Sequence, residues 1–323
     1  MSGAADRRAS GRRQRPQQTK SEAIVLRRRD FRESSRIVTC LTREHGKITG
    51  LAKGAHRPDS ALLGRIDFLN ELEATFTADR GGLRILVRAR LLRERRGLRQ
   101  PDRFLAAGHV AWLVDAGAIE GRPDPVLFEL LQGGLNLLER CPVASVRQVV
   151  LGLEVRYLEA MGALPDLIAC TECGQPLGAQ AFRQADSPGL VCGSHNGLPR
   201  QPLRAGAREL LLVLQQTAGR EWPKLSIDAR QIAAAAPLPS YWLQAALEQR
   251  LPYRAPVFGG RVGGRFEDRT ESRFGGRTGD QFGGRVEDRF GGLLSDPSRP
   301  SAQPATKAAE PSSAPENGPG PNP

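Results

Sequence analysis

The sequence predicts an α+β multidomain chain: an N-terminal OB-fold β-barrel, then a helical domain that carries an inserted hairpin. Three observations predict it. Five short apolar or alternating runs lie between Ala23 and Leu92, with the length and spacing of strands in a small closed sheet. From Asp102 the apolar spacing lengthens to three or four residues, the period of a helix face. Between two such helical stretches stand two pairs of soft side chains, Cys170-x-x-Cys173 and, after eighteen residues, Cys192-x-x-His195. Two pairs at that spacing close a tetrahedron around one Zn2+ and leave no open position, so the ion is expected to be structural. A redox pair at Cys170 and Cys173 is the competing reading, but no thioredoxin-like βαβ pattern surrounds it.

Charge narrows the partners. The 323 residues hold 47 Lys and Arg against 35 Asp and Glu, a formal charge of +12, and the pI is about 10.3. Such a chain favours a polyanion, with nucleic acid ahead of a membrane surface. No apolar run approaches the length of a membrane span, and no hydrophobic region follows the charged N-terminus as in a secretory signal. A reducing, cytoplasmic location is expected. Cys40 and Cys141, outside the metal motif, read as small buried residues.

Taken in order, residues 1–20 carry six basic residues against Asp6 alone and almost no apolar content, which predicts a disordered basic arm. Residues 21–95 should form the barrel. Its strands are expected at 23–26, 35–41, 47–52, 66–77 and 83–92. The last alternates Leu83, Ile85, Val87, Ala89 and Leu91 with Arg84, Leu86, Arg88, Arg90 and Leu92, which predicts an apolar inner face and a largely basic outer one. Arg27, Arg36, Lys47, Lys53, Arg57, Arg65, Arg84 and Arg88 are the candidate DNA-binding residues, because cations along a barrel neutralise phosphates and release counterions. Only Phe31, Phe68 and Phe76 interrupt them, so base stacking should be the smaller contribution.

Residues 96–256 should form the helical domain, with the zinc insertion at 166–199. Helices are expected at 102–117, 125–140, 144–161, 205–216 and 240–250, the second opened by Pro125 and the third stopped by Gly162. His109 falls within the first and reads as a packed core histidine. Within that insertion the segment 180–191 reads as a hairpin, and the insertion as a whole is too small to hold a core without its metal. Residues 257–323 should be a disordered tail: Phe258, Phe266, Phe274, Phe282 and Phe290 recur every eight residues among Gly and Arg, before a Pro/Ser/Ala-rich end.

No enzyme chemistry is visible. Zinc deaminases set a His-x-Glu upstream of Cys-x-x-Cys, whereas His45, His56 and His109 are followed two residues on by Lys47, Pro58 and Ala111. No P-loop is present, so ATP consumption is not expected. A zinc-ribbon transcription regulator would read base edges, but no base-reading helix is visible. A protein-interaction scaffold would lack salt-sensitive DNA affinity.

Gly50-Leu-Ala-Lys-Gly-Ala55 with Ser60 and Leu63, Pro125-Val-Leu-Phe-Glu-Leu-Leu131, and Leu153-Glu-Val-Arg-Tyr-Leu-Glu-Ala-Met-Gly162 with Pro165-Asp-Leu167 and Cys170-Thr-Glu-Cys-Gly174 together resemble the DNA repair and recombination-mediator family RecO. The resemblance runs from Ser21 to Arg250. It implies a non-catalytic, nucleoid-associated protein that binds single- and double-stranded DNA and anneals complementary strands. Implied partners are RecR, the C-terminal tail of single-strand-binding protein and, indirectly, the RecA recombinase. It also places Lys53 and its loop in the DNA-binding part of the barrel. Two positions depart from the family: His56 stands where an Arg usually follows Lys-Gly-Ala, and His195 stands where many relatives have Cys.

Overall fold

The computed structural model describes residues 18–77, 83–184, 187–195 and 200–259. Most of the expected N-terminal arm and the tail beyond Gly259 lie outside these residues. The arm ends earlier than expected, since Gln18, Thr19 and Lys20 are already strand and pair with Thr77, Phe76 and Thr75.

Five strands close a barrel in the order β1-β2-β3-β5-β4, with β4 returning to β1. They are β1 (Gln18–Phe31), β2 (Ser35–Thr42), β3 (Gly46–Ala52), β4 (Glu71–Thr77) and β5 (Arg84–Arg93). The first is long enough to serve two neighbours. Its first half pairs with β4 and its second half with β2, and a register shift between Val25 and Arg27 bends it from one to the other. The β3–β5 contact is parallel and short, joining Gly50 to Arg84 and Leu51 to Ile85. Inside, Val25, Val38, Ile48, Leu72, Ala74, Phe76, Leu86 and Ala89 form one apolar cluster. The segment 53–70 plugs one end of it with Ala55, Leu62 and Ile66.

The strict alternation expected for β5 does not hold. Leu86 is buried opposite Phe76, whereas Val87 is 48 % exposed and Leu83 equally so. A register shift between Thr75 and Phe76 inserts one residue into β5, so Val87 leaves the inner face and Arg88 sits opposite Thr75. A bulge of this kind reverses the in/out parity of every residue beyond it.

The helical region is α1 (Pro101–Gly117), α2 (Pro125–Arg140), α3 (Val146–Ala160), α4 (Ala207–Gln216), α5 (Ala229–Ala235), α6 (Pro237–Leu247) and α7 (Arg254–Val257). The ends of α2 follow from its sequence. Asp124 accepts a hydrogen bond from the Leu127 N–H, Pro125 fills the first turn, and Arg140 stands in the last. Leu127, Phe128, Leu131, Leu135 and Leu138 then face the core. Helix α3 is buried on nearly every side and is the centre of the bundle. The five expected helices are present within a few residues. The short α5 and α7, and a 3-10 turn at Gly219–Lys224, were not visible in the apolar spacing. Phe258, expected to begin the tail, packs instead against the core under the Arg254 guanidinium, 4.4 Å from its ring.

Barrel and bundle share a polar seam along one side of α2. Gln132 Nε2 donates to Glu22 at 2.8 Å and to Glu71 at 2.7 Å. Arg95, whose side chain is 1 % exposed, reaches Glu71 and Asn136, both at 2.8 Å. Arg43 spans Glu22 and Glu129 and lies 4.4 Å over the Phe128 ring. Burial and the bond to Glu22 push the Glu71 carboxyl up. Burial acts on Glu22 too, but bonds to Glu71, Arg43 and Gln132 outweigh it and hold that carboxyl below the usual range. No helix among the described residues is long and apolar enough to cross a membrane.

Candidate nucleic-acid interface and metal centre

The eight cations singled out in the barrel fall into three groups. Arg27 and Lys47 both turn to Asp115 on α1. Arg27 Nε is 2.7 Å from its carboxylate, and Lys47 Nζ donates to its backbone carbonyl at 2.6 Å. These two fasten the barrel to the bundle. Arg36 is held within the barrel, its Nε 2.9 Å from both Asp30 Oδ1 and His56 Nε2. His56 Nε2 is itself 2.7 Å from Asp30. Burial raises the Asp30 carboxyl, but bonds from Arg36 and His56 prevail and hold it low.

The remaining five lie on the turn after β3, on β5 and beside it. Lys53 and Arg57 are exposed on the turn after β3, which is tied to the β1–β2 turn by the His56 N–H bonding the Ser34 carbonyl at 3.0 Å. Arg84 lies beside β3 at Gly50. Arg88 is exposed next to Ala89, whose carbonyl accepts from Arg65 Nη1 at 3.1 Å. Arg65, Arg84 and Arg88 thus belong to β5 and its surroundings, and Lys53 and Arg57 to the turn that follows its neighbour β3. Sequence reasoning missed Arg32, exposed at the same end in the β1–β2 turn, its guanidinium 5.3 Å from the half-buried Phe31 ring. Adjacent Phe and Arg at a hairpin tip were the available signal. Phe76 lies inside the barrel and Phe68 stacks edge-on against Phe104 at 5.8 Å, so neither faces this surface.

The metal motif is assembled by two turns and a small sheet. Cys170 opens a turn in which its N–H bonds the Gln175 carbonyl at 2.8 Å and the Gly174 N–H bonds its own carbonyl at 2.9 Å. The turn docks on β7 (Leu190–Val191) through the Thr171 N–H to the Leu190 carbonyl at 2.9 Å. Gly189 permits this approach, since a Cβ there would lie 2.3 Å from the Thr171 hydroxyl. The expected hairpin is a three-stranded sheet, β7 and β8 (Arg200–Pro202) flanking β6 (Phe182–Gln184). Helix α6 braces it, with the Trp242 indole donating to the Pro188 carbonyl at 2.8 Å.

The ligand atoms of Cys170, Cys173, Cys192 and His195 lie within 4.8 Å of one another, so the cluster could hold a metal ion. Cys173 Sγ and Cys192 Sγ are 3.8 Å apart. Two sulfurs at about 2.3 Å from a tetrahedral ion would be separated by about 3.8 Å. His195 Nε2 is buried without a hydrogen-bond partner, an orphan that a ligated ion would satisfy. Burial raises the Cys170 thiol, but N–H groups of Cys192, Cys173 and Glu172 aimed at the sulfur outweigh it and bring it to about 6. The donor set of three sulfurs and one imidazole therefore fits a metal ion, with His195 serving as well as a fourth Cys. The other two cysteines are buried as expected, and burial pushes Cys40 up to about 12.

Two family models match the chain. Recombination protein O N terminal covers residues 17–95, and Recombination protein O C terminal covers residues 98–255. Among curated proteins, the chain is 38 % identical over 178 residues to the DNA repair protein RecO of Bacillus pumilus, covering 54 % of this chain and 66 % of that relative. It is 36 % identical over 191 residues to the Bacillus subtilis protein of the same name, 58 % of this chain and 71 % of the relative. With the RecO protein of Anaeromyxobacter dehalogenans (strain 2CP-C), identity is 35 % over 204 residues, 61 % and 79 % of the two chains.

Proposed function

The chain belongs to the recombination protein O family, and from that premise we propose that it is a non-catalytic recombination mediator acting in DNA repair. In this reading it binds single- and double-stranded DNA, anneals complementary single strands, and helps load recombinase onto gaps coated with single-strand-binding protein. The observation that carries the reading is the outer row of Lys53, Arg57, Arg65, Arg84 and Arg88 on a closed five-stranded barrel. A row of cations binds a strand through its phosphates with little sequence preference. Neutralising one strand lowers its repulsion for a complement, which is all that annealing requires of a protein without ATP. The helical region offers the surface for a RecR-type partner and for the tail of single-strand-binding protein, with RecA reached indirectly. Cys170, Cys173, Cys192 and His195 would hold one Zn2+, which supplies cross-linking of two turns and no open coordination position.

The test is strand binding and annealing by the full chain without ATP. Binding should fall steeply with salt, and Lys53→Ala, Arg57→Ala, Arg84→Ala and Arg88→Ala together should slow annealing at least tenfold. Annealing at the wild-type rate by that variant would sink the proposal.

A further inference from the structure

The outer face of the barrel divides into two parts. Toward the bundle it is covered. Ile24, Leu26 and Leu41 join the helical core. Lys47 reaches the Asp115 carbonyl, and the Thr49 N–H donates to Glu120 at 3.1 Å. These contacts extend to the Thr39–Thr49 pair of β2 and β3. The next row on the same face, read across the strands by register, is Arg29 on β1, Ile37 on β2, Leu51 on β3 and Ile85 on β5. The outward positions of a strand with one solvated face are ordinarily polar. Here Ile37, Leu51 and Ile85 are apolar, and none of them takes part in either apolar core. Ile37 is buried within the row, while Leu51 and Ile85 are half-buried. Leu83 and Val87, two residues to either side of Ile85, are each 48 % exposed.

Beyond this row lies the β1–β2 hairpin tip. Phe31 pairs with Ser35, is half-buried, and also joins neither core. Arg32 adopts a φ of 56°, a left-handed conformation uncommon for a residue with a Cβ. Its guanidinium lies 5.3 Å from the Phe31 ring. The tip is tied twice to the Lys53 turn. The Gly54 N–H donates to the Ser35 hydroxyl at 3.4 Å, and the His56 N–H donates to the Ser34 carbonyl at 3.0 Å. Lys53, two residues past Leu51, is therefore held next to the Phe31 end of the apolar strip.

The strip thus has exposed cations at its borders, Arg29 on β1 and Arg32 and Lys53 at the hairpin end. An apolar peptide would fill the strip and leave these charges unanswered. A flat apolar ring joined to a phosphate answers both. An unpaired DNA strand presents that combination, whereas a duplex keeps its ring faces stacked on one another. We infer that Phe31, Leu51 and Ile85 contact the bases of a single strand whose phosphates lie against Arg32 and Lys53. The strip, rather than the cations, then sets the preference for unpaired over paired DNA. This inference rests on the DNA binding proposed above and assigns the base-contacting residues within it.

The probes are oligothymidine, an abasic strand of equal length and a duplex, each titrated into the full chain over a salt series. The wild type should bind oligothymidine about fivefold or more tighter than the abasic strand, the worth of one stacked base. Phe31→Ser with Leu51→Thr should erase that margin and narrow the preference over the duplex. The slope of log K against log salt should stay at the wild-type value, since no phosphate contact is lost. Phe31→Ser alone, at a hairpin tip outside both cores, guards against a fold defect in β3 and should remove most of the margin. Lys53→Ala should instead weaken binding to both single strands alike and lower the slope by about 0.7. Equal binding of oligothymidine and the abasic strand, or a margin that survives Phe31→Ser, would overturn the inference and leave salt-driven binding standing. Loss of salt-sensitive binding to every probe would overturn the proposed function with it.

Discussion

Glu154 is the most buried charge in the bundle, and three elements depend on it. Its carboxylate, 0 % exposed, accepts two bonds from Arg254 at 2.7 and 2.8 Å, and His109 Nε2 lies 2.8 Å away. It thus ties α1, α3 and α7 together. Burial alone would raise this carboxyl, but Arg254 and His109 reverse the balance and hold it low. Removing one partner of such a pair strands a buried charge, at a cost of about 3–5 kcal/mol. Arg254→Met should therefore lower the urea midpoint markedly at pH 7. The pH dependence gives the sign. With a depressed folded pKa, the wild type's increment is full above the unfolded carboxylate value of about 4.3 and is lost as pH falls through the folded pKa. In the variant burial wins, so the carboxyl should be raised and stability should fall as pH rises from about 4 toward 7. The gap between the two proteins should narrow on acidification. A constant gap from pH 7 to 4 would mean that Arg254 acts through packing alone.

Two elements test what patterning decides. The bulge in β5 makes Leu86 a core residue and Val87 a surface one, against simple alternation. Leu86→Ala should cost about 2–5 kcal/mol, whereas Val87→Ala should stay within about 0.5 kcal/mol; the reverse order would restore the unbroken strand. The small sheet beside the candidate metal centre carries its own reporter, because the Trp242 indole bonds the Pro188 carbonyl at its edge. Chelation should release one equivalent of Zn2+, shift tryptophan emission to the red and open the sheet to protease, and Cys192→Ser should show all three changes without chelator. Unaltered emission on metal loss would mean that the sheet stands by itself. These cases mark what the sequence could disclose. Strand length, the 3.6 period, Pro125 at a helix start and the Cys/His spacing are local signals, so the barrel, the five long helices and the four candidate ligands were legible. The bulge was not, because it is set by the Thr75–Phe76 register of another strand. Nor were α5 and α7, seven and four residues long, too short to show a period. The partners of Arg27, Lys47 and Arg36 escaped for a related reason. Asp115 lies 88 and 68 residues from the first two, and no spacing rule links them.

At the scale of the molecule, that sorting of cations separates two jobs that charge alone confuses. Arg27 and Lys47 are engaged by Asp115 and hold barrel to bundle. Lys53, Arg57 and Arg88 are exposed and make no ion pair among the described residues, as a phosphate-binding surface requires. The two sets should respond differently to salt. Each phosphate contact on a single strand contributes about 0.7 to the slope of log K against log salt. Replacing Lys53, Arg57 and Arg88 with Ala should thus lower that slope by about 2 and weaken binding to unrelated sequences alike. Arg27→Ala with Lys47→Ala should leave the slope near wild type and lower thermal stability instead, since the α1 carboxylate loses both partners. Asp115→Asn should follow the second pattern, its slope unchanged or slightly raised as the two cations are released. If the Arg27/Lys47 pair lowers the slope as much as the outer three, the strand crosses the barrel at the seam with the bundle, and the Lys53 turn is not its track.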